Sequence, residues 1–260
     1  MKILFISLGC DKNLADSEEM LGLLTGNGHE IVDSEEEADA IVINTCCFIH
    51  DAKEESVNTI LEMAEYKKTG TCKILIVTGC MAQRYKEEIT EEIPEVDAVL
   101  GTTSYGDIVK ALNEAEAGHV FQEFKDINAL PEDSGRRVIT TGGHFGYLKI
   151  AEGCDKHCTY CIIPSLRGKF RSVPEERLLK QAEYMASQGV RELILVAQET
   201  TVYGTDLYGK KTLHILLKKL CQIKGIRWIR VLYCYPEEIY DELIQVMKEE
   251  KKICHYLDLP

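Results

Sequence analysis

The run Tyr147-Leu148-Lys149-Ile150-Ala151-Glu152-Gly153-Cys154-Asp155-Lys156-His157-Cys158-Thr159-Tyr160-Cys161 decides how the second half of the chain is organised. Its first five residues predict a strand, and a loop with three cysteines spaced C-x3-C-x2-C follows directly. One loop can turn three such thiolates onto a single inorganic centre, and the spacing suits three corners of a cubane iron–sulfur cluster. The alternative is a zinc loop with His157 or His144 as fourth ligand, although zinc sites usually add a second Cys or His pair.

The rest of the second half repeats the pattern of a strand followed by a helix. Further strands are predicted at Glu192–Ala197, Trp228–Tyr233 and His255–Leu259, and helices from Pro174 to about Gly189, over Leu213–Ile223 and over Pro236–Glu250. Successive βα units without an internal antiparallel stretch predict a TIM-type (βα) barrel, whose loops at the strand carboxyl ends carry function. A barrel that stops at its fourth strand leaves an open edge, which soluble proteins rarely do, so we expect a C-terminally truncated chain.

The first 118 residues also alternate strands with helices, which predicts parallel pairing in a doubly wound α/β sheet. Strands are predicted at Ile3–Leu8, Glu30–Asp33, Ala40–Thr45, Ile74–Thr78 and Ala98–Leu100. Helices are predicted from a cap at Asp16 or Ser17 to Thr25, and over Ala52–Lys68, Arg84–Glu92 and Tyr105–Ala117. A flavodoxin-like strand order of 2-1-3-4-5 would make the first, third and fourth strands neighbours.

Cysteines follow three of these predicted strands, namely Cys10, Cys46 and Cys80. In an open parallel sheet ligands bind beyond the carboxyl ends of the strands, so three thiols there predict a second metal or cluster site. The alternative is three buried structural cysteines, because a free cysteine packs like a small hydrophobic residue. Cys47 adjoins Cys46, and the alternation of an extended chain lets only one of the two face the crevice.

Residues 119–145 are predicted to connect the two halves. Pro131-Glu132-Asp133-Ser134-Gly135 is typical of a turn, and Gly142-Gly143 gives a flexible joint. The sequence thus predicts an N-terminal domain over 1–118 with the strand-end cysteines, a linker, and an incomplete barrel domain over 146–260.

The net charge and the cysteine content indicate which kind of partner and which cellular compartment to expect. A net charge of −13 opposes a binder of phosphate backbones and suits a basic protein partner. Arg167, Lys169 and Arg171 form a local basic segment, which could meet a carboxylate of cofactor or substrate or remain solvated. Eleven cysteines without a secretory signal at the start indicate a reducing compartment. No stretch has the apolar length of a membrane span, and we expect a cytoplasmic protein.

Over its whole length the chain resembles the radical S-adenosylmethionine (SAM) methylthiotransferases. The matching motifs, in order, are Ser7-Leu8-Gly9-Cys10-Asp11-Lys12-Asn13, Asn44-Thr45-Cys46-Cys47-Phe48-Ile49, Gly79-Cys80-Met81-Ala82-Gln83-Arg84-Tyr85, Glu152 through Cys161, and Ile163-Pro164-Ser165-Leu166-Arg167-Gly168. The resemblance implies that a flavodoxin-like domain precedes a partial radical SAM barrel. The family continues into a small β-barrel called TRAM, which we expect to be absent.

The resemblance also implies two [4Fe–4S] clusters and S-adenosyl-L-methionine as cofactors. The ligands of the radical-generating cluster would be Cys154, Cys158 and Cys161. The ligands of an auxiliary cluster, which positions or supplies sulfur, would be Cys10, Cys46 and Cys80. The family pattern thus selects Cys46 over Cys47, and it implies no catalytic residue beyond the cluster ligands. Tyr160 would lie beside the adenine of the cofactor, with ordinary aromatic packing as the alternative.

Within the family the chain is similar to the RimO branch, which modifies a ribosomal protein, rather than to the MiaB branch, which modifies tRNA. Ser7–Asn13 and Cys47-Phe48-Ile49 carry this distinction. The resemblance implies methylthio transfer to the β-carbon of an aspartate in small-subunit ribosomal protein S twelve, with flavodoxin or ferredoxin as electron donor and neither membrane nor nucleic acid as partner. A tRNA methylthiotransferase and an inactive iron–sulfur or zinc-binding fragment are the alternatives.

Overall fold

The chain forms two compact units in this computed structural model, which describes residues 1–259. The first unit contains Met1–Val138 and Cys158–Arg167, and the second contains Ile139–His157 and Gly168–Pro260. Pro260, the last residue of the predicted barrel domain, lies outside the described residues. The segment Cys158–Arg167 therefore packs with the first unit, although its neighbours in sequence on both sides belong to the second unit.

The first unit is built on a six-stranded sheet in which every pairing is parallel. Its strands are β1 (Lys2–Ser7), β2 (Glu30–Val32), β3 (Ala40–Thr45), β4 (Ile74–Gly79), β5 (Ala98–Leu100) and β6 (Phe121–Glu123). Its helices are α1 (Asp11–Gly26), α2 (His50–Thr69), α3 (Cys80–Arg84), α4 (Lys86–Glu92), α5 (Ile108–Glu116) and α6 (Ile163–Arg167). The order β2-β1-β3-β4-β5-β6 confirms the predicted flavodoxin-like order and adds β6 at one edge.

Helices cover both faces of this sheet, which is why its central strands are apolar without alternation. All six residues of β3 are buried. Ile41 and Ile43 belong to an apolar core that also holds Met63 of α2, whereas Ala40 and Val42 belong to a second core with residues of α1 and α5. The strand that carries Cys46 is therefore fixed from both sides.

The second unit contains a four-stranded parallel sheet and a short antiparallel pair. Its strands are β7 (Phe145–Lys149), β8 (Ala151–Glu152), β9 (Arg171–Ser172), β10 (Glu192–Val196), β11 (Trp228–Val231) and β12 (Ile253–Leu257). Its helices are α7 (Glu175–Ser187), α8 (Thr205–Tyr208), α9 (Leu213–Cys221) and α10 (Asp241–Glu249). The order β12-β11-β10-β7 follows the chain without reversal, as in part of a barrel.

The expectation of no antiparallel stretch in the second half is wrong. β8 pairs with β9 in antiparallel register, with Ala151 opposite Ser172. The pair is only two residues long on each side, so no alternating pattern reveals it in the sequence. It closes the base of the loop that begins at Gly153.

Three further sequence predictions need correction. α1 begins at Asp11, so Asp16 and Ser17 lie inside the helix and do not cap it. The predicted helix over Arg84–Glu92 is two helices, because the backbone at Tyr85 (φ −122°, ψ 35°) leaves the helical region. β6 lies inside the stretch predicted as a linker, where its three residues, two half-buried and one exposed, give no apolar signal.

Glycines precede two of the strand-end cysteines and let the strand ends approach each other closely. Gly9 has φ +89° and Gly79 has φ +96°, which side-chain-bearing residues rarely adopt. A Cβ on Gly79 would lie 2.3 Å from Asn44 Oδ1 and 2.5 Å from the carbonyl oxygen of Thr45. A Cβ on Gly9 would lie 2.6 Å from Cys46 Cβ. Both glycines are therefore required where β1 and β4 end against β3.

Gly79→Ala is expected to destabilise the first unit more than Gly28→Ala does. Both positions have positive φ, but Gly28 (φ +85°) has no atom within 4 Å of the added Cβ. The positive φ alone costs about 1–2 kcal/mol, and only Gly79→Ala adds a backbone clash. Urea denaturation followed by circular dichroism measures the two losses. Equal losses of unfolding free energy would contradict the close approach at Gly79.

Candidate functional site

Three cysteines of the first unit lie at one edge of its sheet. Cys46 directly follows β3, Cys80 directly follows β4, and Cys10 lies three residues beyond the end of β1. β1, β3 and β4 are adjacent parallel strands, so their carboxyl ends meet. A negative charge on Cys10 raises the pKa of both Cys46 and Cys80, and a negative charge on Cys46 raises the pKa of Cys80. The structure thus brings the three thiols into one neighbourhood.

The three thiols differ in their exposure to solvent. Cys46 is buried, Cys80 is half-buried and Cys10 is exposed. Burial raises the pKa of Cys46 and of Cys80, and the nearby positive charge of Arg167 opposes the rise at both. Since metal ligation uses thiolates, binding at this edge has to release protons from these groups.

The side chain of Asn13 in α1 ties two of the strand ends together. Its Nδ2 donates to the carbonyl oxygen of Leu8 (3.1 Å) and to that of Thr45 (2.9 Å). Asn44 in β3 donates in return to the backbone oxygen of Asn13 (2.9 Å) and to Ser17 Oγ (2.9 Å). Since these groups are buried, the hydrogen bonds fix the residues before Cys10 and Cys46 in place.

Cys46 and its neighbour Cys47 occupy different surroundings. Ser56 of α2 accepts from the Cys46 N–H (3.0 Å) and donates to its carbonyl (2.8 Å), which holds the Cys46 backbone at the strand end. The Cys46 thiol lies against Gly9. Cys47 packs in the apolar core beside α2 and α3, and burial raises its pKa to about 11.

Arg167 is a buried residue of this edge whose place the sequence left open. It ends α6, is only 4% exposed, and forms an ion pair with Asp16 of α1 (Nη1 to Oδ2, 2.8 Å). Its Nη2 donates to Asn13 Oδ1. Arg167 is therefore not solvated, because it pairs with a carboxylate of this chain, whereas Lys169 is exposed. Contact of the basic segment with a carboxylate of cofactor or substrate stays a prediction. No sequence signal distinguishes Asn13 and Asp16 as the partners of Arg167, because they lie among other polar residues in the first turns of α1.

The cysteines of the C-x3-C-x2-C run are divided between the two units. In the second unit, the Cys154 N–H donates to the Gly168 carbonyl (3.1 Å), and the Lys156 N–H donates to Cys154 Sγ (3.4 Å). In the first unit, Cys158 and Cys161 are half-buried, and the Cys161 N–H donates to the Cys158 carbonyl (3.0 Å). That these three thiols share one cluster stays a prediction from their spacing.

Tyr160 is 85% exposed, so its ring is not packed in a core. This removes ordinary aromatic packing as an explanation for the residue. Its predicted place beside an adenine stays a prediction.

An ion-pair network in the second unit anchors the segment after Cys154. Lys156 Nζ lies 2.7 Å from Glu238 Oε1 and 4.2 Å from the centre of the Tyr235 ring. Lys211 Nζ lies 3.0 Å from Glu238 Oε2. Hydrogen bonds from Lys156 and then Lys211 lower the pKa of Glu238. The loop thus has an electrostatic anchor on the residues that follow β11.

Two further polar side chains follow β10 in the second unit. Glu199 is buried and accepts from the Thr201 N–H (3.1 Å) and from its hydroxyl. Burial raises the pKa of Glu199. Gln198 Oε1 is buried without a hydrogen-bond partner among the described residues. The carboxyl end of β10 therefore holds polar groups with unused hydrogen-bonding capacity.

The strand-end thiols have the donor type of an iron–sulfur cluster, since thiolates are its usual ligands. The backbones place three cysteines at neighbouring strand ends. Among residues 1–259, however, no group of three or more Cys, His, Asp or Glu side chains has an arrangement that could hold a metal ion, so a cluster at this edge stays a prediction. No helix within the described part of the chain is long and apolar enough to span a membrane.

Comparison with known proteins agrees with this description. Residues 2–101 match the model of an uncharacterized protein family, UPF0004, and residues 148–260 match the radical SAM superfamily. The chain is similar to a solved radical SAM methyltransferase, TsrM from Kitasatospora setae (11% identity, TM-score 0.63, 97% of this chain and 59% of that one). It is also similar to the radical enzyme OxsB (16% identity, TM-score 0.54, 92% of this chain and 39% of that one). These structures show the fold alone.

Curated relatives cover the entire chain. One from Lachnoclostridium phytofermentans, named ribosomal protein uS12 methylthiotransferase RimO, is 67% identical over 260 residues. Another of the same name from Clostridioides difficile is 52% identical over 260 residues. The chain spans 59% of the length of each of these relatives.

Residues 148–260 are thus similar to the radical SAM superfamily, and the solved structure of TsrM carries a [4Fe–4S] cluster. Over its whole length the chain is similar to relatives named as RimO methylthiotransferases.

Glu238→Gln is expected to lower the unfolding free energy of the second unit by about 0.5–1 kcal/mol at pH 7, as partly exposed ion pairs do. Because its pKa is lowered, the Glu238 contribution is present above the usual value of 4.5 and is lost as pH falls through the lowered value. Urea denaturation at several pH values measures the difference from wild type, which should vanish in acid. The control is Glu237→Gln at the exposed neighbour, and an equal loss in that variant would contradict the network.

Proposed function

We propose that this chain contains the two cluster-binding parts of an enzyme that transfers a methylthio group with two [4Fe–4S] clusters. The observation that supports this is the presence of two separate thiol triads in one chain. One triad is the run Cys154, Cys158 and Cys161 in the part that matches the radical SAM superfamily. The other is Cys10, Cys46 and Cys80 at the strand ends of the part that matches UPF0004. The relatives' shared name supplies the reaction type.

Each triad has its own role in this proposal. The first would hold the cluster that, with S-adenosylmethionine, would supply the radical chemistry needed at an unactivated C–H bond. The second would hold the auxiliary cluster, which would position or supply sulfur. Tyr160, whose ring is exposed, would lie beside the adenine of the cofactor.

This chain's other residues hold the two triads in place. Asn13 and Ser56 fix the backbones that carry Cys10 and Cys46, and Gly79 allows Cys80 to approach them. Lys156 anchors the loop that begins at Cys154. Such fixed positions are what a reaction between two clusters and one substrate atom requires.

The proposed substrate is small-subunit ribosomal protein S twelve, at the β-carbon of an aspartate. The relatives carry this protein in their name, and a net charge of −13 suits a basic protein partner better than tRNA. A flavodoxin or ferredoxin would supply electrons. The cytoplasm is the expected location, since all eleven cysteines are free.

Iron content tests the two-cluster proposal. Anaerobically reconstituted wild-type chain is expected to hold about eight irons, and Cys10→Ala/Cys46→Ala/Cys80→Ala about four, because each cluster contributes four. Cys47→Ala is the matched control, since the thiol beside Cys46 packs in the core, and it should keep about eight. Loss of four irons in Cys47→Ala but not in Cys46→Ala would overturn the ligand assignment. One zinc per chain would favour an inactive zinc-binding fragment.

Turnover tests the reaction. With a low-potential reductant, the reconstituted chain should cleave S-adenosylmethionine to 5′-deoxyadenosine, and Cys158→Ala should lose this cleavage. Mass spectrometry of ribosomal protein S twelve and of tRNA from cells lacking the gene then identifies the substrate. An unmodified aspartate in the ribosomal protein supports the proposal. A missing methylthio group in tRNA alone would replace it with the tRNA activity.

A further inference from the structure

The first unit buries one arginine against its strand-end cysteines. Arg167 is 4% exposed, and its ion-pair partner Asp16 is 3% exposed. Arginine keeps its charge in proteins, and burying a charge is costly unless it is paired and hydrogen-bonded. Both conditions are met here, since the guanidinium donates to Asp16 and to the fully buried Asn13.

The same guanidinium also acts on the thiols. Cys80 Sγ lies 3.9 Å from Asn13 Oδ1, the oxygen to which Arg167 Nη2 donates. The positive charge of Arg167 also opposes the rise in the pKa of Cys80 and of Cys46. One planar cation therefore bonds to a carboxylate and to the amide oxygen that Cys80 also contacts.

Stability alone does not explain this arrangement. Replacing a buried ion pair by packed apolar side chains is often neutral or stabilising. By contrast, the reduction potential of an iron–sulfur cluster depends directly on nearby net charge and on hydrogen bonds to its sulfurs. A cluster with three thiolate ligands adds negative charge at this edge, and Arg167 is a buried cation that shares a hydrogen-bond partner, Asn13 Oδ1, with the ligand Cys80.

We propose that Arg167 is a positioning residue of the auxiliary cluster, donating an N–H to the sulfur of Cys80 and raising the reduction potential of that cluster. Asp16 has the opposite effect, because its carboxylate offsets the guanidinium charge. The inference rests on the proposed function, since it needs a cluster on Cys10, Cys46 and Cys80.

The potential of the auxiliary cluster tests this. In the full chain carrying Cys154→Ala/Cys158→Ala/Cys161→Ala, only the auxiliary cluster can load, and redox titration followed by electron paramagnetic resonance measures its potential. Arg167→Gln should lower the reduced-to-oxidised ratio at a fixed potential at least tenfold, a shift of about 59 mV for one electron. Asp16→Asn should shift the ratio in the opposite direction, and Arg167→Lys should restore part of the loss.

Potential shifts of opposite sign in Arg167→Gln and Asp16→Asn distinguish an electrostatic effect from structural damage, because damage would not change sign between the two variants. The matched control is Glu18→Gln/Arg137→Gln, which removes another buried ion pair on α1 (Arg137 Nη2 to Glu18 Oε2, 2.5 Å) and should leave the potential unchanged. Shifts of the same sign in Arg167→Gln and Asp16→Asn, or no shift, would overturn the inference alone. A parent variant that loads no cluster would overturn the proposed function and the inference with it.

A second measurement detects the arginine nitrogen near the cluster by isotope labelling, with Arg167→Lys as the control. With ¹⁵N-arginine incorporated, pulsed electron paramagnetic resonance of the reduced auxiliary cluster should show a ¹⁵N hyperfine coupling. The coupling should be lost in Arg167→Lys, which removes the labelled nitrogen. A reduced cluster without ¹⁵N coupling, or a coupling that persists in Arg167→Lys, would contradict the hydrogen bond.

Discussion

A buried amide, the side chain of Asn13, joins the parts of the first unit on which the site depends. It donates to the backbone where β1 ends and where β3 ends, and its oxygen accepts from Arg167. Without these bonds the buried carbonyls of Leu8 and Thr45 would lose a donor, which buried polar groups rarely tolerate. The need to supply these carbonyls with a donor explains why the first turns of α1, between an apolar sheet and the cysteines, carry polar residues.

Much of the fold follows from sequence because its strands are apolar on both faces. β3 and β4 are buried along their whole length, so their runs of Ile and Val stand out, and the helices between them require parallel pairing. The convergence of Cys46 and Cys80 then follows, since carboxyl ends of adjacent parallel strands share an edge. Family motifs add the choice of Cys46 over Cys47, which alternation alone leaves open.

The features that escaped prediction lack a local signal. β6 has only three residues, none of them buried, and pairs with β5. Arg167 and Asp16 are 151 residues apart in sequence, and a charged residue in a loop is ordinarily solvated. Asp16 suggested a helix cap because caps favour aspartate, whereas its tertiary partner places it inside α1. Long-range pairing, and not local propensity, therefore determines the structure at β6, Arg167 and Asp16.

The proposed function requires this one chain to hold two clusters on two cysteine triads. Crystals grown without oxygen from the reconstituted protein allow this to be measured by anomalous diffraction at the iron absorption edge. Two separate iron peaks are expected, one on Cys10, Cys46 and Cys80 and the other on Cys154, Cys158 and Cys161. An iron peak on the second triad alone, with the strand-end thiols bare, would contradict the proposed function.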